Sequence, residues 1–238
     1  MKTISITFQS SGIPIPISYQ YGVQSLLYSI LRQADSTSTW HDNGYEYNKR
    51  TYKLFTFSSL RGKKTIADKR ITFHDLMYLD VRSASDAFCN ALIVGLKSDE
   101  KFELYGNQLS VQSVTWESPE ITESSLKIKM LSPLTVYRTE NGKSKFYTPL
   151  DKEFSEQINQ NFQRKYAAFT GNMSKSDIRI LPLHVSGSDK YVTTFKDIHI
   201  TAWRGEYQLF GNPEYLQFLY YCGLGAKNSN GFGMFEVL

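Results

Sequence analysis

Cysteine is scarce in this chain: Cys89 and Cys222 are the only two in 238 residues. They lie far apart, and neither has a His or Cys neighbour at metal-ligand spacing, which excludes a disulfide scaffold and a structural zinc module. Both read as reduced, buried thiols. Long apolar runs are missing too. The longest, Ala91 to Leu96, is far too short to cross a bilayer, and the start Met1-Lys2-Thr3-Ile4-Ser5 lacks the apolar segment of a signal peptide. A cytoplasmic protein without a membrane partner is expected. Excess charge of one sign is small, with 27 Lys+Arg against 23 Asp+Glu, so composition alone does not announce a nucleic-acid binder.

Aromatic side chains are abundant, with 16 Tyr and 15 Phe, enough bulk for a core that needs no covalent staples. Ile4, Ile6 and Phe8 alternate as in a strand, and Val23, Leu26, Leu27, Ile30, Leu31 and Ala34 follow helical spacing. Strand-like runs follow at Tyr52 to Leu60 and Ile71 to Val81. Ser85-Asp86 then opens a helix carrying Phe88, Leu92 and Leu96, and Phe102 to Trp116 returns to strand character. The order is β-α-β-β-α-β, the ferredoxin-like unit.

The second half is read in the same order. Leu126 to Tyr137 is the first strand, Thr148-Pro149-Leu150-Asp151 the cap of a helix with Phe154, Ile158, Phe162 and Tyr166, and Ile178 to Val185 and Thr194 to Trp203 the middle strands. Asn212-Pro213 caps a helix that stops at Gly223, and Gly231 to Leu238 is the last strand. The expected fold is α+β: two tandem ferredoxin-like (βαββαβ) domains, residues 1–120 and 121–238, with a C-terminal glycine-rich loop. Polar residues and Pro119 place the boundary near Glu117 to Ser124.

Two local signals rise above this pattern. Between Lys49 and Arg70 eight basic residues, among them Lys49, Arg50, Lys53, Arg61, Lys63 and Lys64, face a single acid, Asp68; this suits a phosphate-directed surface, the alternative being a solvated basic loop. Near the end, Gly223-Leu224-Gly225-Ala226-Lys227-Asn228-Ser229-Asn230-Gly231-Phe232-Gly233 packs four glycines into eleven residues. Such a loop lets backbone amides approach an anion, with Lys227 adding charge and Asn228 and Ser229 adding donors. It lacks the Gly-Lys-Ser/Thr ending of a Walker loop and follows a helix instead of preceding one, which rejects nucleoside triphosphate binding. Glycines that merely end a helix are the alternative. No Lys/Arg-Gly-Phe/Tyr-Gly/Ala-Phe signature supports base stacking on an open sheet.

The terminus resembles the Gly-x-Gly-x-x-x-x-x-Gly-Phe-Gly pattern that ends the CRISPR-associated repeat-cleaving endoribonucleases, the Cas six family. Trp203 to Gly211, Leu131-Ser132-Pro133-Leu134, Asn161 to Tyr166, Gln20 to Tyr28 and Lys53-Leu54-Phe55-Thr56-Phe57-Ser58 are also similar to that family, so the resemblance covers nearly the whole chain. It implies two ferredoxin-like halves and metal-free cleavage of CRISPR precursor RNA within its repeats, by 2′-OH attack that leaves a 2′,3′-cyclic phosphate. No cofactor and no metal are expected.

By the same resemblance His41, in Thr39-Trp40-His41-Asp42, is the general acid/base, Tyr28 the helix tyrosine and Lys53 the active-site lysine, with Lys49 the alternative to Lys53. His41 lies in a polar stretch outside any apolar period, where an ordinary histidine exchanges protons near neutrality. Tyr28 borders the apolar stripe of its helix, so a packing role is its alternative. Gly223, Gly225, Lys227, Asn228, Ser229, Gly231 and Gly233 would hold the RNA backbone together with Lys49, Arg50, Arg61, Lys63 and Lys64. His74, His184 and His199 fall in strand-like runs without catalytic or metal-ligand spacing and are set aside. The rival reading is a repeat-RNA-binding subunit of an effector complex that has lost catalysis; a metabolic or ligand-sensing ferredoxin-like protein is a third. Delivery of product to a CRISPR effector complex and a homodimer are further partners the resemblance leaves open.

Overall fold

The computed structural model describes residues 1–34, 44–98, 101–195 and 198–238. The first half runs β1 (Lys2–Gln9), α1 (Gln20–Ala34), β2 (Phe55–Phe57), β3 (Leu76–Ser83), α2 (Asp86–Leu96) and β4 (Asn107–Glu117). Its sheet has the order β2-β3-β1-β4, antiparallel throughout, and the short strand Phe102–Leu104 extends the edge beyond β4. The second half repeats the plan with β5 (Ser125–Met130), α3 (Glu153–Thr170), β6 (Arg179–His184), β7 (Glu206–Phe210), α4 (Pro213–Cys222) and β8 (Phe235–Val237), in the order β6-β7-β5-β8. Both are ferredoxin-like βαββαβ units, as the sequence predicts.

Period-two alternation explains the burial. Ile4, Ile6 and Phe8 of β1 and Met77, Leu79 and Val81 of β3 turn one face toward α1 and α2. In the second half Leu126, Ile128 and Met130 of β5 and Tyr207 and Leu209 of β7 meet Phe154, Ile158 and Phe162 of α3 and Leu216 and Leu219 of α4. This second core also takes in Leu54 and Ala84 from the first half. Ser85 caps α2 by accepting from the Phe88 amide, and Asn212 caps α4 by accepting from Glu214, each stabilising by about 1 kcal/mol. Cys89 and Cys222 are free and buried, and burial pushes both thiols up in pKa.

Several expected elements divide differently. The run Ile71 to Val81 breaks at His74-Asp75: Arg70–Phe73 pairs with Lys64–Ala67 and Ile15–Pro16 in a small side sheet, and only β3 joins the main one. Phe102 to Trp116 folds back at Tyr105-Gly106, both with positive φ, the requirement of a tight two-residue hairpin turn. Leu126 to Tyr137 leaves the sheet after Met130, and Tyr137–Glu140 forms a hairpin with Lys143–Phe146.

Thr194 to Trp203 is not the third core strand of its half. It belongs to the hairpin Lys190–Phe195 and Ile198–Trp203, while β7, downstream, fills the sheet position. Thr148 to Asp151 forms a turn closed by the Thr148 amide on the Asp151 carboxylate, and α3 begins only at Glu153. Apolar alternation marks extended segments, but it carries no record of where a strand breaks or which neighbour it pairs with.

Candidate active site

The glycine-rich loop of the second half is clamped onto the first half. Gln24 of α1 donates to the Ser229 carbonyl at 2.7 Å, and Thr56 of β2 donates to the Phe232 carbonyl at 3.0 Å. The loop's glycines face inward. A Cβ on Gly231 (φ +86°) would stand 2.4 Å from the Phe57 ring, and one on Gly233 (φ +78°) would stand 1.9 Å from the Leu224 carbonyl. Only glycine tolerates both that backbone and that contact.

The interior of the loop is held from below by Lys165. Its side chain is 3% exposed, and its ammonium donates to the Gly223 carbonyl at 2.6 Å, the Gly225 carbonyl at 3.2 Å and the Asn228 Oδ1 at 3.1 Å. The Asn228 amide in turn donates to the Leu224 and Phe232 carbonyls. Burial lowers the Lys165 pKa below the ordinary lysine value. The sequence signal for this residue was available: Phe154, Ile158, Phe162 and Lys165 lie on one helical stripe, and a cation on a buried stripe demands partners. Tyr166, expected there, is only half buried and donates to Glu214.

On its open side the loop borders a cleft of about 690 Å³. Lys53 lines it together with Arg50, and Gly225, Lys227, Asn228 and Ser229 form its loop wall. Arg138, Arg164 and Lys165, none of them singled out from the sequence, complete its cations. Lys227 lies over the Tyr137 ring at 5.2 Å, and burial lowers its pKa. Gly223, Gly231 and Gly233 are buried behind this wall.

Tyr28 is buried, with its ring edge-on to Phe55 at 6.0 Å. Phe55 lies two residues beyond Lys53, but Tyr28 belongs to the first-half core and is not among the residues that line the cleft. Lys49 occupies the turn of the hairpin Tyr45–Tyr47 and Arg50–Tyr52, with φ at +62°, and is exposed. That hairpin rests on α3, Tyr45 packing on Phe169 at 5.3 Å. His41 lies outside the described residues.

The basic cluster of the sequence is therefore split. Arg61 and Lys64 line a second cleft, and Lys63 is exposed in the bend just before the side-sheet strand Lys64–Ala67. Among the set-aside histidines, His74 lies in the connection before β3, within 2.6 Å of the Thr65 hydroxyl, and His184 pairs with Glu206. His199 is exposed. Among the described residues no group of three or more His, Cys, Asp or Glu could hold a metal ion, and no helix there is long and apolar enough to cross a membrane.

Comparison with known proteins gives a consistent result. Residues 14–115 match the family model for the CRISPR-associated protein Cas6 N-terminal region, and residues 116–237 match the model for the Cas6 C-terminal region. A CRISPR-associated endoribonuclease Cas6 of Methanocaldococcus jannaschii is 27% identical over 92% of this chain and 86% of that protein. One from Pyrococcus furiosus is 26% identical over 94% and 83%. Among solved structures, a CRISPR-associated protein Cas6 superposes with a TM-score of 0.79 at 24% identity, covering 100% of this chain and 99% of the other. A Cas6-related protein from Pyrococcus furiosus gives 0.82 at 21%, covering 99% and 98%. These two likenesses establish the shared fold.

Proposed function

The chain belongs to the CRISPR-associated Cas6 family, and from that membership we propose that it is a metal-independent endoribonuclease cutting CRISPR precursor RNA within its repeats. Residues 1–120 form the unit that carries His41, and residues 121–238 the unit that carries the glycine-rich loop. The observation that carries this reading is the cleft itself: Lys53, Arg50 and Lys227 converge beside a loop locked by buried hydrogen bonds. A rigid cationic wall stabilises charge that develops on a phosphorane without reorganising during the reaction.

The chemistry balances without water. The ribose 2′-oxygen loses its proton and attacks the adjacent phosphorus, the bond from phosphorus to the 5′-oxygen breaks, and the leaving oxygen takes up a proton. The products are a 2′,3′-cyclic phosphate and a 5′-OH. His41 carries the proton transfer, Lys53 balances the phosphorane charge and Tyr28 orients the scissile group. The cleft-lining position of Lys53, against the hairpin-turn position of Lys49, supports Lys53 as the active-site lysine. Released guide RNA passes to a CRISPR effector complex; sizing the protein with and without RNA tests whether two copies pair.

A gel assay with repeat RNA of the host's own array in excess EDTA tests the proposal. Wild type cleaves and His41→Ala does not, and a 2′-deoxy residue at the cut site blocks cleavage while sparing binding. Binding without cutting by wild type would install the rival reading of an RNA-holding subunit, and equal cleavage by His41→Ala would remove His41 from the mechanism.

A further inference from the structure

Two clefts of similar size, about 690 and 760 Å³, open on the protein surface, and charge separates them. The larger holds Arg61, Lys64, Arg82, Lys129 and Arg204, but also Asp80, Glu117, Glu120, Glu123 and Glu236. One of its pairs is already closed, Arg61 to Asp80 at 2.6 Å. The smaller, beside the glycine-rich loop, is lined by six Lys or Arg side chains and, among the described residues, by no Asp or Glu. Like charges gathered round one cavity repel each other, and a polyanion in the cavity reverses that repulsion.

Lys53 belongs to the proposed catalytic group, Lys227 to the loop, Lys165 holds the loop from below and Arg50 is already assigned to the RNA backbone, which leaves Arg138 and Arg164 without a role. Arg138 is exposed on the strand Tyr137–Glu140, directly across from Lys145 in the hairpin register. Facing like charges destabilise a strand pair, while the opposite-sign pair Glu140 and Lys143 stands nearer the turn. Arg164 is half buried on α3, and it donates to the neutral Gln160 amide oxygen at 3.3 Å. On the same helix Asn161 lines the cleft with its Oδ1 buried and without a hydrogen-bond partner among the described residues.

We propose that Arg138 and Arg164 form a seat for phosphates of the RNA strand next to the scissile one, giving affinity without taking part in bond breaking. The planar guanidinium fork matches a phosphate with two parallel hydrogen bonds. Coming from a hairpin and from a helix, the two side chains would hold the strand at two points fixed by separate elements. This seat rests on the reading of the cleft as the RNA site.

The test uses Arg138→Gln, Arg164→Gln, the double variant, and Arg138→Lys and Arg164→Lys. Filter binding of the host repeat RNA and of an oligouridylate is measured over a KCl series, beside single-turnover cleavage. Each glutamine variant is expected to weaken binding of both RNAs by about tenfold at low salt and to flatten the log-affinity against log-salt slope by about 0.7. The loss falls on KM and not on kcat. The lysine variants retain the wild-type slope. Unchanged affinity in both glutamine variants overturns the seat, and so does weakened binding with the slope preserved, which would mark a shape effect. If wild type binds with the expected salt slope but does not cut, the nuclease reading fails while the seat stands, so the two outcomes are told apart.

Discussion

The ammonium of Lys165 stands 2.6 Å from the carbonyl oxygen of Gly223, the residue that ends α4. With its bonds to Gly225 and Asn228 it ties α3 to the interior of the glycine-rich loop. Lys165→Met keeps the unbranched apolar stem as far as Cε but removes the ammonium and leaves buried oxygens unsatisfied. It is expected to destabilise the protein by about 1–3 kcal/mol and to weaken RNA binding. Urea unfolding checks the first effect, and unchanged stability would mean that the loop holds its shape without the lysine.

The same residue gives a pH signature. Burial places the folded-state pKa of Lys165 below the ordinary 10.5, so between the two values the unfolded chain binds the proton that the folded chain has released. Stability contributed by this site therefore rises with pH across that interval, and the penalty is full below the folded pKa. The urea midpoint of wild type should gain on that of Lys165→Met as pH is raised from below the folded-state pKa toward about 10. A constant difference would refute burial as the governing cause.

Lys53 and Lys49 are separable by kinetics. Lys53→Ala is expected to lower the cleavage rate at saturating RNA by about a hundredfold, in keeping with loss of one charge-stabilising donor. Lys49→Ala, out on the hairpin turn, acts on affinity. Tyr28→Phe keeps the ring contact with Phe55 and removes only the hydroxyl, so a fall in rate with an intact melting temperature assigns it to chemistry, and an intact rate assigns it to packing.

Gly95 marks where the two helices of the first half touch. A Cβ there would lie 2.0 Å from the Ile30 carbonyl oxygen of α1, a backbone atom that moves only with its helix. Gly95→Ala should therefore destabilise by about 1–3 kcal/mol, against the usual helix preference for Ala over Gly. A thermal melt showing stabilisation would mean that the helices have room to part.

The sequence by itself determined the local character of most segments, because apolar period and caps are local: Ile4, Ile6 and Phe8, the Ser85 and Asn212 caps and the helix end at Gly223 are legible, whereas the core strand β7 is not. It also pointed to the glycine-rich loop and to both thiols. Only tertiary structure decided which strands pair, since alternation looks the same in β7 and in the Lys190–Phe195 hairpin. It also divided the basic cluster between two clefts, because the core strand β2, Phe55–Phe57, runs between Lys53 and Arg61 and separates Arg50 and Lys53 from Arg61 and Lys64. Arg138, Arg164 and Lys165 became visible only when α3 and a hairpin met the loop. Their significance lies in a cleft without described carboxylates, and local charge decides electrostatics by distance in space, not by position along the chain.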